Sequence, residues 1–108
     1  MPTYNKLVRD RIPEIIEQTG KSYRTTVLTE EAYITELKKK AQEELNEFLE
    51  SQSKEEAMEE LADLLEIVHA LANTYGASIE QVEEIRRKKA EKRGGFQERM
   101  FLIDVDDE

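Results

Sequence analysis

Two pairs of carboxylates stand at helical spacing in the middle of this chain: Glu44 with Glu47, and Glu60 with Asp63. Residues three apart on an α-helix share a face, one turn from each other. A hairpin of two such helices would bring four carboxylates together, and they would repel one another unless a cation lay between them. The natural occupant is a hard divalent cation with oxygen ligands, Mg²⁺ first and Mn²⁺ as a substitute.

The plain reading of a Glu-rich helix is a solvated face, because Glu is seldom buried. Helical projection tests it. In the segment following Thr29, Ile34, Leu37, Ala41, Leu45 and Phe48 recur at spacings of three and four. With Ala41 as the reference direction, Glu44 falls about 60° to one side, Glu47 about 120° to the same side, and Glu43 about 160° away. In the next segment, with Leu64 as reference, Glu60 lies about 40° away and Asp63 about 100° away on the same side. Each helix thus carries one carboxylate beside its apolar stripe and a second at the border. Solvation explains Glu43, Glu55 and Glu59 but explains Glu60 poorly. A near-buried Glu without a partner is costly or stays protonated. Both a dication and an ion pair with Lys or Arg from another helix remove that conflict, and the residues alone leave the two open.

The elements that must position these groups are helices. Asp10 is placed to cap a short helix through Thr19, with Pro13 in its first turn and Gly20 as its stop. Residues Ser22 to Leu28 carry the features of an extended segment, a candidate strand. Thr29 opens a second helix that ends near Glu50, with Glu30 and Glu31 in the first turn. Ser51-Gln52-Ser53 is a tight connector, and Ser53 with Glu56 forms a capping box for a third helix. That helix carries Ala57, Leu61, Leu64, Val68, Leu71 and Tyr75, and Gly76 stops it. Ser78 with Gln81 is another capping box, opening a fourth helix from Ile79 to about Arg93, which Gly94-Gly95 ends. Phe96 and Met100 to Ile103 form an apolar patch expected to dock on the body or on a partner subunit, ahead of an acidic and mobile end.

The 108 residues suffice for one domain, 1–108, with a modest core. With 16 basic and 25 acidic residues the formal net charge is −9, which argues against nucleic acid and against an anionic membrane as partners. No apolar run is long enough to span a bilayer and no leader is evident, so the expected location is cytoplasmic. Cysteine is absent, which excludes disulfides and thiol chemistry.

The segments Glu43-Glu44-Leu45-Asn46-Glu47 and Glu60-Leu61-Ala62-Asp63 resemble the EExxE…ExxD signature of MazG-like, all-α nucleoside triphosphate pyrophosphohydrolases. Lys6 to Ile16 and Lys92-Arg93-Gly94-Gly95-Phe96 look like the terminal motifs of a phosphoribosyl-ATP pyrophosphohydrolase-like, house-cleaning branch. Together the resemblance covers nearly the whole chain. It implies a four-helix, MazG-like bundle completed by oligomerisation, as a homodimer or homotetramer. It implies Mg²⁺-dependent cleavage of a nucleoside triphosphate, expected to be a non-standard or surplus one, to the monophosphate and pyrophosphate. By the same resemblance Glu44, Glu47, Glu60 and Asp63 are the metal ligands and catalytic acids. Glu43 matches the signature's first acid, but its outward projection leaves it out of that set.

A nucleotide polyphosphate also needs cationic partners on so acidic a protein. Arg86 to Arg93 is the most basic stretch, and Lys89 and Arg93 share a helix face and are the candidate phosphate contacts. The alternative is a basic last turn that stabilises the helix dipole. Lys6, Arg9 and Arg11 are a second cluster, with local pairing to Asp10 as the simpler explanation. His69 projects about 140° from the apolar direction, a surface or subunit-contact position. A non-catalytic nucleotide-binding or acidic helical interaction module is the competing reading of the whole.

Overall fold

The computed structural model describes residues 2–107. Four α-helices follow one another: α1 (Ile12–Gln18), α2 (Glu30–Glu50), α3 (Lys54–Thr74) and α4 (Ile79–Arg93). There is no strand among the described residues, and the fold is all-α.

The helix starts follow from side-chain caps. The Thr29 hydroxyl accepts from the Ala32 N–H at 3.2 Å, and the Ser53 hydroxyl accepts from the Glu56 N–H at 3.1 Å. The return bond expected of a capping box at Ser53 goes one residue earlier, because the Glu56 carboxylate accepts from the Gln52 N–H at 2.9 Å. At α4 the box is complete: Gln81 N–H donates to Ser78 Oγ, and Ser78 N–H donates to the Gln81 amide oxygen. The end of α3 turns at Gly76, whose φ of 70° lies in the left-handed region. There Ala77 N–H reaches the Ala72 carbonyl and Gly76 N–H the Asn73 carbonyl, the paired bonds of a Schellman cap.

Two expectations need correcting. The extended segment 22–28 pairs with nothing and is exposed coil; its β-branched residues alone, without a neighbouring strand, make no sheet. Helix α1 begins after Arg11 rather than at a cap on Asp10, and no side chain caps it. Pro13 occupies its first turn as expected, where its missing N–H costs nothing.

The short 51–53 connector folds α3 back along α2, and this pair is the main packing contact of the chain. Helix α4 touches α3 alone, and α1 packs on no other helix. Among the described residues, only Leu37, Ile67 and Ala72 are buried apolar residues. Leu45 and Leu61, read as stripe residues, are each 40% exposed, and Tyr75 is more exposed still. The apolar tail, Phe96 and Met100 to Ile103, lies open and does not dock on the chain's own body. The radius of gyration is 18.8 Å, against about 13 Å for a compact domain of this length. The exposed surface is 10202 Å², against about 6,200 Å² for a compact monomer of this mass. The single chain is an open hairpin with an arm, and its apolar faces lack a partner.

Gly76 gives a clean test of backbone strain. A Cβ at Gly76 would meet nothing within 4 Å, so only the positive φ opposes a side chain there. Gly76→Ala is expected to lower stability by about 1–2 kcal/mol. Gly95→Ala, where φ is not positive and space is equally open, is expected to be nearly neutral. Urea denaturation of both variants measures the difference.

Candidate metal centre

Glu44 lies six residues before the end of α2, and Glu60 lies six residues after the start of α3. A three-residue turn between antiparallel helices sets two such positions at the same height. Each carboxylate also flanks the apolar stripe of its helix, so the two face each other across the packed seam. The outcome is a cluster: one carboxylate oxygen from each of Glu44, Glu47 and Glu60 lies within 4.8 Å of the others.

Glu44 is the deepest member, only 8% exposed and more buried than the neighbouring Leu45. Glu60 is half-buried and Glu47 exposed. One oxygen of Glu44 and one of Glu60, both Oε2, are shut off from solvent with no hydrogen-bond partner. Lys40, one turn before Glu44, brings its ammonium to 4.0 Å from Glu44 Oε1, at the edge of ion-pair distance. One lysine does not offset three acids. Burial pushes the Glu44 carboxyl from 4.5 up to about 7, and the carboxylates of Glu47, Glu60 and Asp63 push the same way. Glu60 is raised as well, first through its close approach to Glu47 and then through burial.

Asp63 is treated differently. Its Oδ1 accepts from the Arg9 guanidinium at 2.7 Å, across 54 residues of chain. The two solutions that the residues left open, dication and guanidinium, are therefore divided between neighbours. Asp63 has a guanidinium, and Glu44, Glu47 and Glu60 do not. Asp63 is still close enough for its charge to raise both Glu44 and Glu60. Glu43 is exposed, as its projection required.

The donor set suits a hard divalent cation: clustered oxygens, two of them buried and unpartnered, on two rigid helices. The basic stretch of α4 divides into halves. Arg86, Arg87 and Lys88 pair with Glu83, Glu91 and Glu84 on their own helix. Lys89 and Arg93 are exposed and make no ion pair among the described residues. His69, read as a surface or subunit-contact residue, is half-buried. It lines an open groove of about 450 Å³ between α3 and α4, with Leu65, Ile79 and Arg87 among its neighbours. Local pairing of Arg9 and Arg11 to Asp10 does not occur: Arg11 pairs with Glu14 and Arg9 with Asp63. The Arg9 contact is what residue spacing missed. Nothing in a sequence links positions 9 and 63, whereas Lys40, also missed, was detectable at four residues before Glu44.

The family model for phosphoribosyl-ATP pyrophosphohydrolase matches residues 1–90. The chain belongs to that family. The phosphoribosyl-ATP pyrophosphohydrolase family sits in the MazG-like superfamily, and its members hydrolyse phosphoric anhydrides. The chain is accordingly a pyrophosphohydrolase of the nucleotide type. The matched segment takes in all three clustered acids, Asp63, Arg9 and Lys89, and ends before Arg93. No curated protein and no solved structure shows a significant match to the chain. No helix among the described residues is long and apolar enough to cross a membrane.

The raised Glu44 pKa has a pH signature. Between 4.5 and about 7 the folded, metal-free chain holds a proton that the unfolded chain has released. Folding stability therefore falls as pH rises through that window. Thermal melts in EDTA from pH 4.5 to 7.5 should show this decline, and Glu44→Gln should flatten it. Above pH 7, Mn²⁺ should raise the melting temperature of the native chain and leave that of Glu44→Gln nearly unchanged.

Proposed function

We propose that the protein is a Mg²⁺-dependent nucleoside triphosphate pyrophosphohydrolase of one domain, 1–108, acting on a non-standard or surplus nucleotide in the cytoplasm. Water adds to the α-phosphorus, the bond from that phosphorus to the bridging oxygen breaks, and nucleoside monophosphate and pyrophosphate leave. The observation that carries this reading is the pair of buried, unpartnered carboxylate oxygens of Glu44 and Glu60 inside a three-acid cluster. Family membership supports the anhydride chemistry.

In this reading Glu44, Glu47, Glu60 and Asp63 hold the metal, with Mn²⁺ able to replace Mg²⁺. A dication bound there supplies charge neutralisation for the phosphates and acidifies the attacking water. The carboxylates fix its position through two rigid helices, and one of them accepts the proton that water gives up. Lys89 and Arg93 are the proposed contacts to phosphate. Their lack of partners among the described residues supports this role, whereas Arg86, Arg87 and Lys88 are already engaged.

We also infer a homodimer or homotetramer. The three-residue apolar core, the excess exposed area and the open faces around Leu61, Leu65 and Met58 support it. A specific interface buries about 1,200–2,000 Å² in total, well within the excess this chain exposes.

Two experiments test these readings. Pyrophosphate release is measured across a panel of standard, deoxy and modified triphosphates with Mg²⁺. At least one should be turned over, and Glu60→Gln should lower that turnover by about a hundredfold or more with an unchanged helical circular-dichroism spectrum. Full turnover in Glu60→Gln, or nucleotide binding with no turnover anywhere in the panel, overturns the catalytic reading. Sedimentation equilibrium should give at least twice the chain mass, with a melting temperature that rises with protein concentration. A monomer at all concentrations overturns the oligomer.

A further inference from the structure

The ion pair between Arg9 and Asp63 is the one side-chain hydrogen bond among the described residues that joins distant parts of the chain; every other spans four residues or fewer. Both partners are substantially exposed, 56% and 40%, and an ion pair so open to water adds little stability. Its position is more informative than its strength. Asp63 stands one helical turn from Glu60, so Arg9 is held at the rim of the carboxylate cluster. It comes from an N-terminal segment with no regular structure before α1, which leaves the guanidinium free to change partner.

The same segment brings further positive charge to that side of α2. Lys6 lines a hollow of about 200 Å³ together with Lys39 and Lys40, and Glu36 and Glu43 share its walls. Lys40 in turn approaches Glu44. Arg9 differs from these lysines in geometry. A guanidinium is a planar fork that binds carboxylate and phosphate alike with paired hydrogen bonds, so a group held by Asp63 is already shaped for a phosphate.

We propose that Arg9 is a substrate-binding residue that passes from Asp63 to a phosphate of the nucleotide's polyphosphate chain when substrate enters the carboxylate cluster. This rests on the metal-binding reading above and adds to it a cationic contact contributed by the N-terminal arm. The ligand class is a metal-complexed polyphosphate, whatever base the nucleotide carries. Once phosphate takes the guanidinium, Asp63 is released to face the cluster with Glu60.

The test separates this role from a mere brace. Mn²⁺ alone is titrated into the full chain by calorimetry, and the Mn²⁺ complex of inorganic tripolyphosphate is then titrated into the Mn²⁺-saturated protein. Arg9→Ala should weaken tripolyphosphate binding by about ten- to a hundredfold while Mn²⁺ affinity holds or rises. Arg9→Lys should recover part of the loss, since it keeps charge without the fork. Arg11→Ala, which removes a neighbour paired only to Glu14, should change neither. Unchanged tripolyphosphate affinity in Arg9→Ala overturns the proposal. So does an equal loss of Mn²⁺ and tripolyphosphate binding with a lowered melting temperature, which marks a structural brace. If the native chain binds no Mn²⁺, the metal-binding reading itself fails and the Arg9 proposal falls with it.

Discussion

Three carboxylates held within 4.8 Å of one another between two packed helices are the constraint on which the rest of this structure depends. Their charges repel one another, and the Glu44 carboxyl is pushed up to about 7. Burial is the first cause and the neighbouring acids the second, and both follow from the hairpin. The tight 51–53 turn matches Glu44 to Glu60 in height, and the apolar stripes turn both toward the seam. A helix pair evolved for stability alone would carry Leu or Ala at these two positions. The cost in stability supports the reading of an ion-binding centre over that of a solvated surface.

The open architecture belongs to the same economy of residues. A 21-residue helix such as α2 has one face for its core, and here part of that face is given to Glu44. The neighbouring helix gives up part of its own face to Glu60. What remains, Leu37, Ile67 and Ala72 as the buried apolar set, is too small to hold a 108-residue chain against the entropy of ordering it. Apolar side chains left outside, along α3 and in the 100–103 tail, are the complementary half of the balance. A second copy covering them would supply burial that the acid-bearing seam cannot, and would lower the dielectric around the cluster, strengthening any cation held there.

Local chemistry was legible in the sequence, and long-range chemistry was not. The caps at Thr29, Ser53 and Ser78 and the stop at Gly76 act within a few residues, so α2, α3 and α4 stand where spacing put them. The seam position of Glu44 and Glu60 was also legible, because projection around one helix needs only that helix's own residues. Two readings failed for a shared reason. The segment 22–28 had strand-like composition but no strand to pair with. Leu45 and Leu61 had core-like spacing but no second surface to cover them. The ion pair that Asp63 makes with Arg9, 54 positions away, was not visible either. Each depends on what lies opposite in space, which periodicity does not carry.

Charge distribution decides how so acidic a chain can meet a polyanion. Of its 16 basic residues, those of mid-α4 are paired with acids on their own helix, and Arg11 is paired with Glu14 at the start of α1. Exposed pairs of this kind set local charge near zero and leave little field at a distance. In the proposed function, attraction for phosphate comes from short range: a dication in the carboxylate cluster and the few cations held beside it. That arrangement discriminates by itself. On that reading a single phosphate or a nucleic-acid backbone would satisfy the site less well than a polyphosphate tail, which would reach the metal and the rim cations together. The net charge of −9 is thus compatible with the proposed nucleotide chemistry.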